Sequence, residues 1–153
     1  MEYKIDDIDR AILRLLQKDA TPSVDDISLQ VNLSRNACWR RIKLMEQAGI
    51  ITARVALVDP ARVGAPLTAI VLIRTSAHDR DWIAQFQSIL RTLPEVVGAY
   101  RMTGDLDYVL RVRVADVPAY DAFYKRLTSQ ISVSDISASF VMEEIKETTA
   151  VPL

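Results

Sequence analysis

Asn36, Arg40, Lys43 and Gln47 recur at the spacing of one helical face, and Cys38, Ile42 and Met45 lie opposite them. Guanidinium and amide groups can pair with guanine and adenine edges, which makes Asn36, Arg40 and Lys43 candidates for reading bases in a DNA groove. Arg35, beside the helix start, and Arg41, on the flank, are expected to hold phosphates. Ser34 caps the first turn and is counted with the contact residues. Trp39 has two readings: packing on sugar or a thymine methyl, or closing the domain against the first helix. The cations Arg35, Arg40, Arg41 and Lys43 fall within nine residues, opposite an apolar stripe. That is the pattern of a basic reading helix, and ordinary solvated charges are its bland alternative.

A second constellation is Met102-Thr103-Gly104-Asp105-Leu106-Asp107-Tyr108. Glycine tolerates positive φ and lets a ligand approach the backbone, and carboxylates can receive the α-ammonium group of an amino acid. Equally, aspartates and a glycine make an ordinary hairpin turn. As metal ligands or an acid–base pair, Asp105 and Asp107 lack a neighbouring histidine, and the single histidine, His78 in Ser76-Ala77-His78-Asp79-Arg80, has no partnered nucleophile. The expectation is therefore no enzyme, no cofactor and no metal.

Three short helices must position the first constellation. Asp6 can cap one carrying Ile8, Ile12, Leu15 and Leu16; Ser23 and Asp26 form a capping box for a second with Val24, Ile27 and Val31; Asn32-Leu33-Ser34 turns into the third, which Gly49 closes. Leu33 and Cys38 are set for a hydrophobic staple. A tight turn between the last two helices is the helix-turn-helix layout, and a plain three-helix bundle is the alternative. Ile50–Val58, rich in β-branched residues and stopped by Asp59-Pro60, reads as a linker strand. From Leu67 the order is β-α-β-β-α-β: strands at 67–74, 96–102, 108–114 and 136–145, with helical stripes from Trp82 to Leu93 and from Val117 to Ile131. The fold class is thus α+β: an N-terminal winged or three-helix helix-turn-helix domain (residues 1–52), a linker strand and hinge (53–66), and a ferredoxin-like βαββαβ sensor domain (67–153). A sheet with both helices on one face leaves the other uncovered. Residues such as Val71, Val112, Phe140 and Met142, on whichever side is open, would be buried against a second copy.

The chain has 153 residues, 50% of them hydrophobic, and a net charge of −1, so any DNA contact must be local and not a general coating of phosphates. One cysteine excludes an internal disulfide, the opening Met-Glu-Tyr-Lys-Ile-Asp-Asp lacks the apolar core of a signal peptide, and no apolar run is long enough for a membrane helix. The expectation is a cytoplasmic protein with no membrane role.

Ile8-Asp9-Arg10 with Ile12-Leu13, Leu33-Ser34 followed by Cys38 and Arg41-Ile42, Glu46-Gln47-Ala48-Gly49-Ile50-Ile51, and Thr103 to Tyr108 together resemble the leucine-responsive and asparagine-responsive (Lrp/AsnC, feast/famine) family of transcription regulators across essentially the whole chain. Cys38-Trp39-Arg40-Arg41, Val55 to Pro60 and Ser139 to Lys146 resemble members controlling amino-acid breakdown, including cysteine desulfuration. The resemblance implies that the N-terminal domain binds double-stranded DNA. It implies that the C-terminal domain dimerises, assembles dimers into an octamer or similar ring, and binds an amino-acid effector between dimers. Met102, Thr103, Gly104, Asp105 and Asp107 are the implied effector residues, and Thr148-Thr149 could close that site. The competing reading is a metabolite-sensing oligomerisation module that acts through protein partners and does not bind DNA. Salt separates the two: duplex affinity should fall steeply and linearly in log–log coordinates as salt rises, as counterion release requires, whereas absence of duplex binding at low salt would leave only the protein-partner reading.

Overall fold

Asp6, Ser23 and Ser34 each open a helix in the computed structural model, which describes residues 3–77 and 79–153. Helix α1 (Asp7–Lys18) starts with the Asp6 carboxylate accepting from the Asp9 N–H at 2.8 Å, and the Asp9 carboxylate accepts in return from the Asp6 N–H at 3.2 Å. Helix α2 (Val24–Gln30) repeats this reciprocal cap with Ser23 and Asp26. Asn32 then takes φ 53°, a left-handed conformation that asparagine adopts more readily than most residues, and the Leu33 N–H reaches back to the Ser28 carbonyl at 2.9 Å. The chain is thereby turned into α3 (Arg35–Gln47), where Ser34 Oγ accepts from the Ala37 N–H at 3.3 Å.

The far end of α3 closes as its glycine requires. Gly49 has φ 70°, its N–H donates to the Glu46 carbonyl at 3.1 Å, and the Ile50 N–H donates to the Met45 carbonyl at 2.9 Å. Ile12, Leu13, Ile27, Cys38, Ile42 and Met45 are buried together, with Leu33 and Ile50 packed against them. Both ends of α3 are therefore pinned to the core that its apolar stripe helps to fill.

Residues 53–58 adopt no strand, contrary to the linker-strand expectation. Val55, Leu57 and Val58 are exposed, and an extended segment becomes a strand only when another chain segment completes its ladder of hydrogen bonds. The same reason shortens the last strand, which ends at Phe140 and not at Ile145.

The remaining elements follow the expected order: β1 (Leu67–Arg74), α4 (Arg80–Thr92), β2 (Val96–Arg101), β3 (Tyr108–Val114), α5 (Val117–Gln130) and β4 (Asp135–Phe140). They form one antiparallel sheet, β2-β3-β1-β4. The register, with Val71 opposite Leu110 and Ala69 opposite Val112, sets alternate side chains onto a common face. Ala69, Val71, Ile73, Leu110 and Val112 are buried there with Phe86 and Phe123 of the two helices. Trp82, Phe86 and Tyr108 meet with ring centroids 4.8–5.9 Å apart, and the Trp82 indole N–H donates to the Ser132 carbonyl at 3.0 Å.

This register corrects the expectation for the open face. Val71 and Val112 lie on the helix side, and Phe140 packs edge-on against Tyr120 of α5. Alternation assigns Thr68, Ile70, Leu72, Gly98, Tyr100, Val109, Arg111 and Arg113 to the other face, which mixes aliphatic residues with two arginines. Met142 falls beyond β4 and is exposed.

The chain divides into two units, the first running to Leu57 and completed by Lys146–Leu153, the second spanning Val58–Ile145. The expected boundaries lay at 52/53 and 66/67; in this division residues 146–153 group with the helical unit. His78 lies outside the described residues. Gly49→Ala places a Cβ in the left-handed region and should cost the helical unit about 1–2 kcal/mol, read as a lower unfolding midpoint with unchanged helical signal before the transition.

Candidate functional site

The exposed side of α3 carries Asn36, Trp39, Arg40, Lys43 and Gln47, and Arg35 stands exposed at its start next to the capping Ser34. Trp39 is 53% exposed, and its indole stands on the same surface as the polar candidates. Cys38 is fully buried, and burial pushes its thiol pKa up, which makes it a packing residue and a poor nucleophile.

Lys43, Arg54, Arg35 and Arg41 all have carboxylate partners within the chain. Lys43 Nζ lies 2.7 Å from a Glu46 carboxylate oxygen, and Arg54 Nη2 lies 2.9 Å from the other. The Lys43 hydrogen bond chiefly holds the Glu46 pKa below its usual value. Arg35 Nε is 3.1 Å from Asp25, but both side chains are more than 60% exposed, and such a pair is worth little in water and yields readily to a phosphate.

Arg41, expected to hold a phosphate, has two carboxylate partners within the chain. One guanidinium nitrogen sits 2.7 Å from Asp6 and 2.9 Å from Asp9, and the Asp9 side chain is only 1% exposed. Asp9 also accepts from the Tyr3 hydroxyl at 3.1 Å. A carboxylate this buried needs such partners, because removing it from water without them is costly. Arg41 therefore joins α3 to the start of α1, and its own pKa is raised by Asp9 and then Asp6. Asp6 is in turn shifted downward, first by the Asp9 N–H and then by Arg41. Asp6 was expected as a cap and Asp9 stands in the Ile8-Asp9-Arg10 motif, but neither spacing marks them as partners of Arg41.

The turn after β2 closes as a hairpin: the Met102 N–H donates to the Asp107 carbonyl at 2.8 Å. Asp107 is held from two sides, its N–H donating to the Ile73 carbonyl at 3.0 Å and its carboxylate accepting from the Thr75 N–H at 2.8 Å. Arg74 Nε donates to the Asp105 carbonyl at 2.9 Å. Gly104 has φ 99° with open space on the side where a Cβ would project. Met102, Thr103, Gly104 and Asp105 are all exposed, whereas Tyr108 is buried in the aromatic cluster. The turn is thus a built platform, with the Asp107 carboxylate committed to its construction and Asp105 facing outward. Arg74 and Thr75 were not legible as its supports, since only the β1–β3 register brings them there. Cavities of about 450, 560 and 220 Å³ occur elsewhere, and none is lined by residues 102–107. Thr148 and Thr149 belong to the helical unit and not to the unit that contains this turn.

Comparison with known proteins assigns both units. Residues 5–52 match the winged helix-turn-helix DNA-binding family, and residues 68–151 match the Lrp/AsnC ligand binding domain. The chain is 46% identical over 150 residues to the DNA-binding transcriptional activator DecR of Escherichia coli strain K12, covering 97% of this chain and 99% of that protein. It superposes with TM-score 0.94 on the crystal structure of an AsnC family transcriptional regulator from Agrobacterium tumefaciens, at 50% identity over 97% of each chain. A transcriptional regulator of Neisseria meningitidis solved as its L-methionine complex matches with TM-score 0.92 and 34% identity, again over 97% of each chain.

Arg41→Ala should destabilise the helical unit by roughly 1–3 kcal/mol, because it strands the buried Asp9, whereas Arg40→Ala should leave the unfolding midpoint within about 0.5 kcal/mol of wild type. Thermal or urea unfolding of the two variants checks this. The depressed pKa of Asp6 adds stability that is present above its unfolded-state pKa and is lost as the pH falls through the folded-state value. The acid limb of wild type should therefore be steeper than that of Asp6→Asn.

Proposed function

The chain belongs to the Lrp/AsnC family of transcription regulators, and from that premise we infer how its two units divide the work of DNA recognition and effector sensing. Helix α3 enters the major groove. Asn36, Arg40 and Lys43 contact base edges, Trp39 packs on sugar or a thymine methyl, and Arg35, with the capped first turn at Ser34, holds the backbone. The observation that carries this reading is the exposed polar face of α3, opposite a stripe that is fully packed. Arg41 acts from behind that surface, setting the helix on α1 through Asp6 and Asp9.

One reading helix gives a small interface, so a second copy is required for tight binding to a pseudo-palindromic site. The open face of the sheet, with Ile70, Leu72, Tyr100 and Val109 around Arg111 and Arg113, is the surface we assign to dimerisation, and dimers assemble further into a ring such as an octamer. Among the described residues no helix is long and apolar enough to cross a membrane, which accords with a regulator acting in the cytoplasm.

The effector is an amino acid held at residues 102–107. The L-methionine complex of the Neisseria relative supports that ligand class, and the outward Asp105 with the open backbone at Gly104 suits an α-ammonium group. In this reading a neighbouring dimer completes the pocket. Such a ligand acts by binding one assembly state better than another, and the shift cannot exceed that difference in affinity.

Two measurements test this. In anisotropy titrations with a duplex selected by the wild-type chain, Arg40→Ala should weaken binding by about 1–3 kcal/mol, and an unchanged affinity removes Arg40 from the contact set. Calorimetry against the twenty amino acids, L-methionine included, should give saturable heats that Asp105→Ala abolishes; identical heats for both proteins would refute the effector site without touching the DNA assignment.

A further inference from the structure

The segment Lys146–Leu153 follows the sensor unit in sequence yet packs with the helical unit. It has no helix or strand of its own, and three hydrogen bonds tie it to α1. The Gln17 side-chain amide pairs with the backbone of Val151 in both directions, Nε2 donating to the Val151 carbonyl at 3.2 Å and Oε1 accepting from the Val151 N–H at 2.7 Å. One turn earlier on the same helix face, Arg14 Nε donates to the Leu153 carbonyl oxygen at 2.7 Å. Leu153 packs against the core cluster of the helical unit. Val151 and Leu153 also form one wall of an apolar cavity of about 560 Å³, lined on its other sides by Leu13, Leu16, Ile50 and Ile51.

The pairing at Val151 is specific because a carboxamide is the one side-chain group that offers a peptide-like donor and acceptor together. It is also weak. Hydrogen bonds at an exposed surface contribute little net free energy, and a single half-buried leucine must offset the ordering of eight residues. An attachment of that kind exchanges between docked and released forms under native conditions.

The chain passes between its two units twice, at residues 57–58 and again at 145–146. With the tail docked, the backbone is held to the DNA-binding unit at both crossings; with the tail released, the crossing at residues 57–58 alone holds it, through the segment 53–58 that forms no strand. We propose that Lys146–Leu153 is a releasable strap that docks on Arg14 and Gln17 of α1 and gives the DNA-binding unit a second tether, limiting its motion independent of the sensor unit. A tethered reading helix loses less orientational freedom on binding DNA, so the docked form is the preorganised one.

Hydrogen exchange on the full chain tests the docking, and tryptophan anisotropy tests its consequence. The Val151 amide should exchange about tenfold or more slowly than in a free peptide of residues 146–153, and Gln17→Ala and Leu153→Ser should each return it to the peptide rate. Trp39 and Trp82 are the two tryptophans of the chain, so in a Trp82→Phe background the anisotropy decay reports Trp39 in the DNA-binding unit. Its fast component should grow by about half or more on adding Gln17→Ala or Leu153→Ser. Exchange of Val151 at the peptide rate in wild type would overturn the docking. An unchanged Trp39 decay in variants whose Val151 amide is released would overturn the tether. Neither readout involves DNA or an amino acid, so failure here is distinct from failure of the DNA and effector assignments.

Discussion

The contact on which the DNA-reading surface depends is the one between Arg41 and the buried Asp9. A carboxylate that is 1% exposed has almost no water to solvate it, and its partners are Arg41 at 2.9 Å, the Tyr3 hydroxyl and the Asp6 N–H. The guanidinium is shared with Asp6, the residue that caps α1, so the start of α1 and the flank of α3 are held by a single charged node. This directional contact fixes the rotation of α3 about its own axis, which the apolar stripe of Cys38, Ile42 and Met45 restricts only within its width. Asn36, Arg40 and Lys43 lie on the side of α3 opposite the buried stripe, with Arg41 on its flank anchored to α1.

In the sensor unit the same division holds between a sealed side and an available one. The aromatic contacts of Trp82, Phe86 and Tyr108 and the aliphatic residues of β1 and β3 complete the helix face of the sheet. The β1–β3 register that creates this face also brings Thr75 and Arg74 to the turn at residues 102–107, where they hold the Asp107 carboxylate and the Asp105 carbonyl. The core and the built turn are thus two consequences of one strand pairing. A side chain added at Gly104 would meet no steric obstacle, yet its φ of 99° would strain any residue with a Cβ, so the constraint there is conformational.

Local chemistry made much of this legible. Asp6, the Ser23–Asp26 pair, Ser34 and Gly49 mark helix ends through interactions spanning only a few residues, and each was found where its type and spacing required. The βαββαβ order followed from hydrophobic periodicity in the same way. Less legible were features that depend on what lies opposite. Ile50 to Val58 has the composition of a strand but lacks a partner to complete a ladder, and Val71 and Val112 were equally suited to either face until the register chose the helix side.

The sequence by itself determined the helix ends, the apolar stripe of α3, the order of the sheet elements and the residues able to meet a base or an α-ammonium group. These depend on intervals of three, four or two residues that backbone geometry imposes on any chain. Tertiary structure alone decided that Arg41 pairs with Asp6 and Asp9 at the start of α1, and that Asp107 builds the turn while Asp105 is exposed. It also decided that residues 146–153 complete the helical unit. In each of these cases the deciding partner lies about thirty or more residues away, at Asp9, Thr75 or Gln17, and only the packed chain brings the two groups within hydrogen-bonding distance.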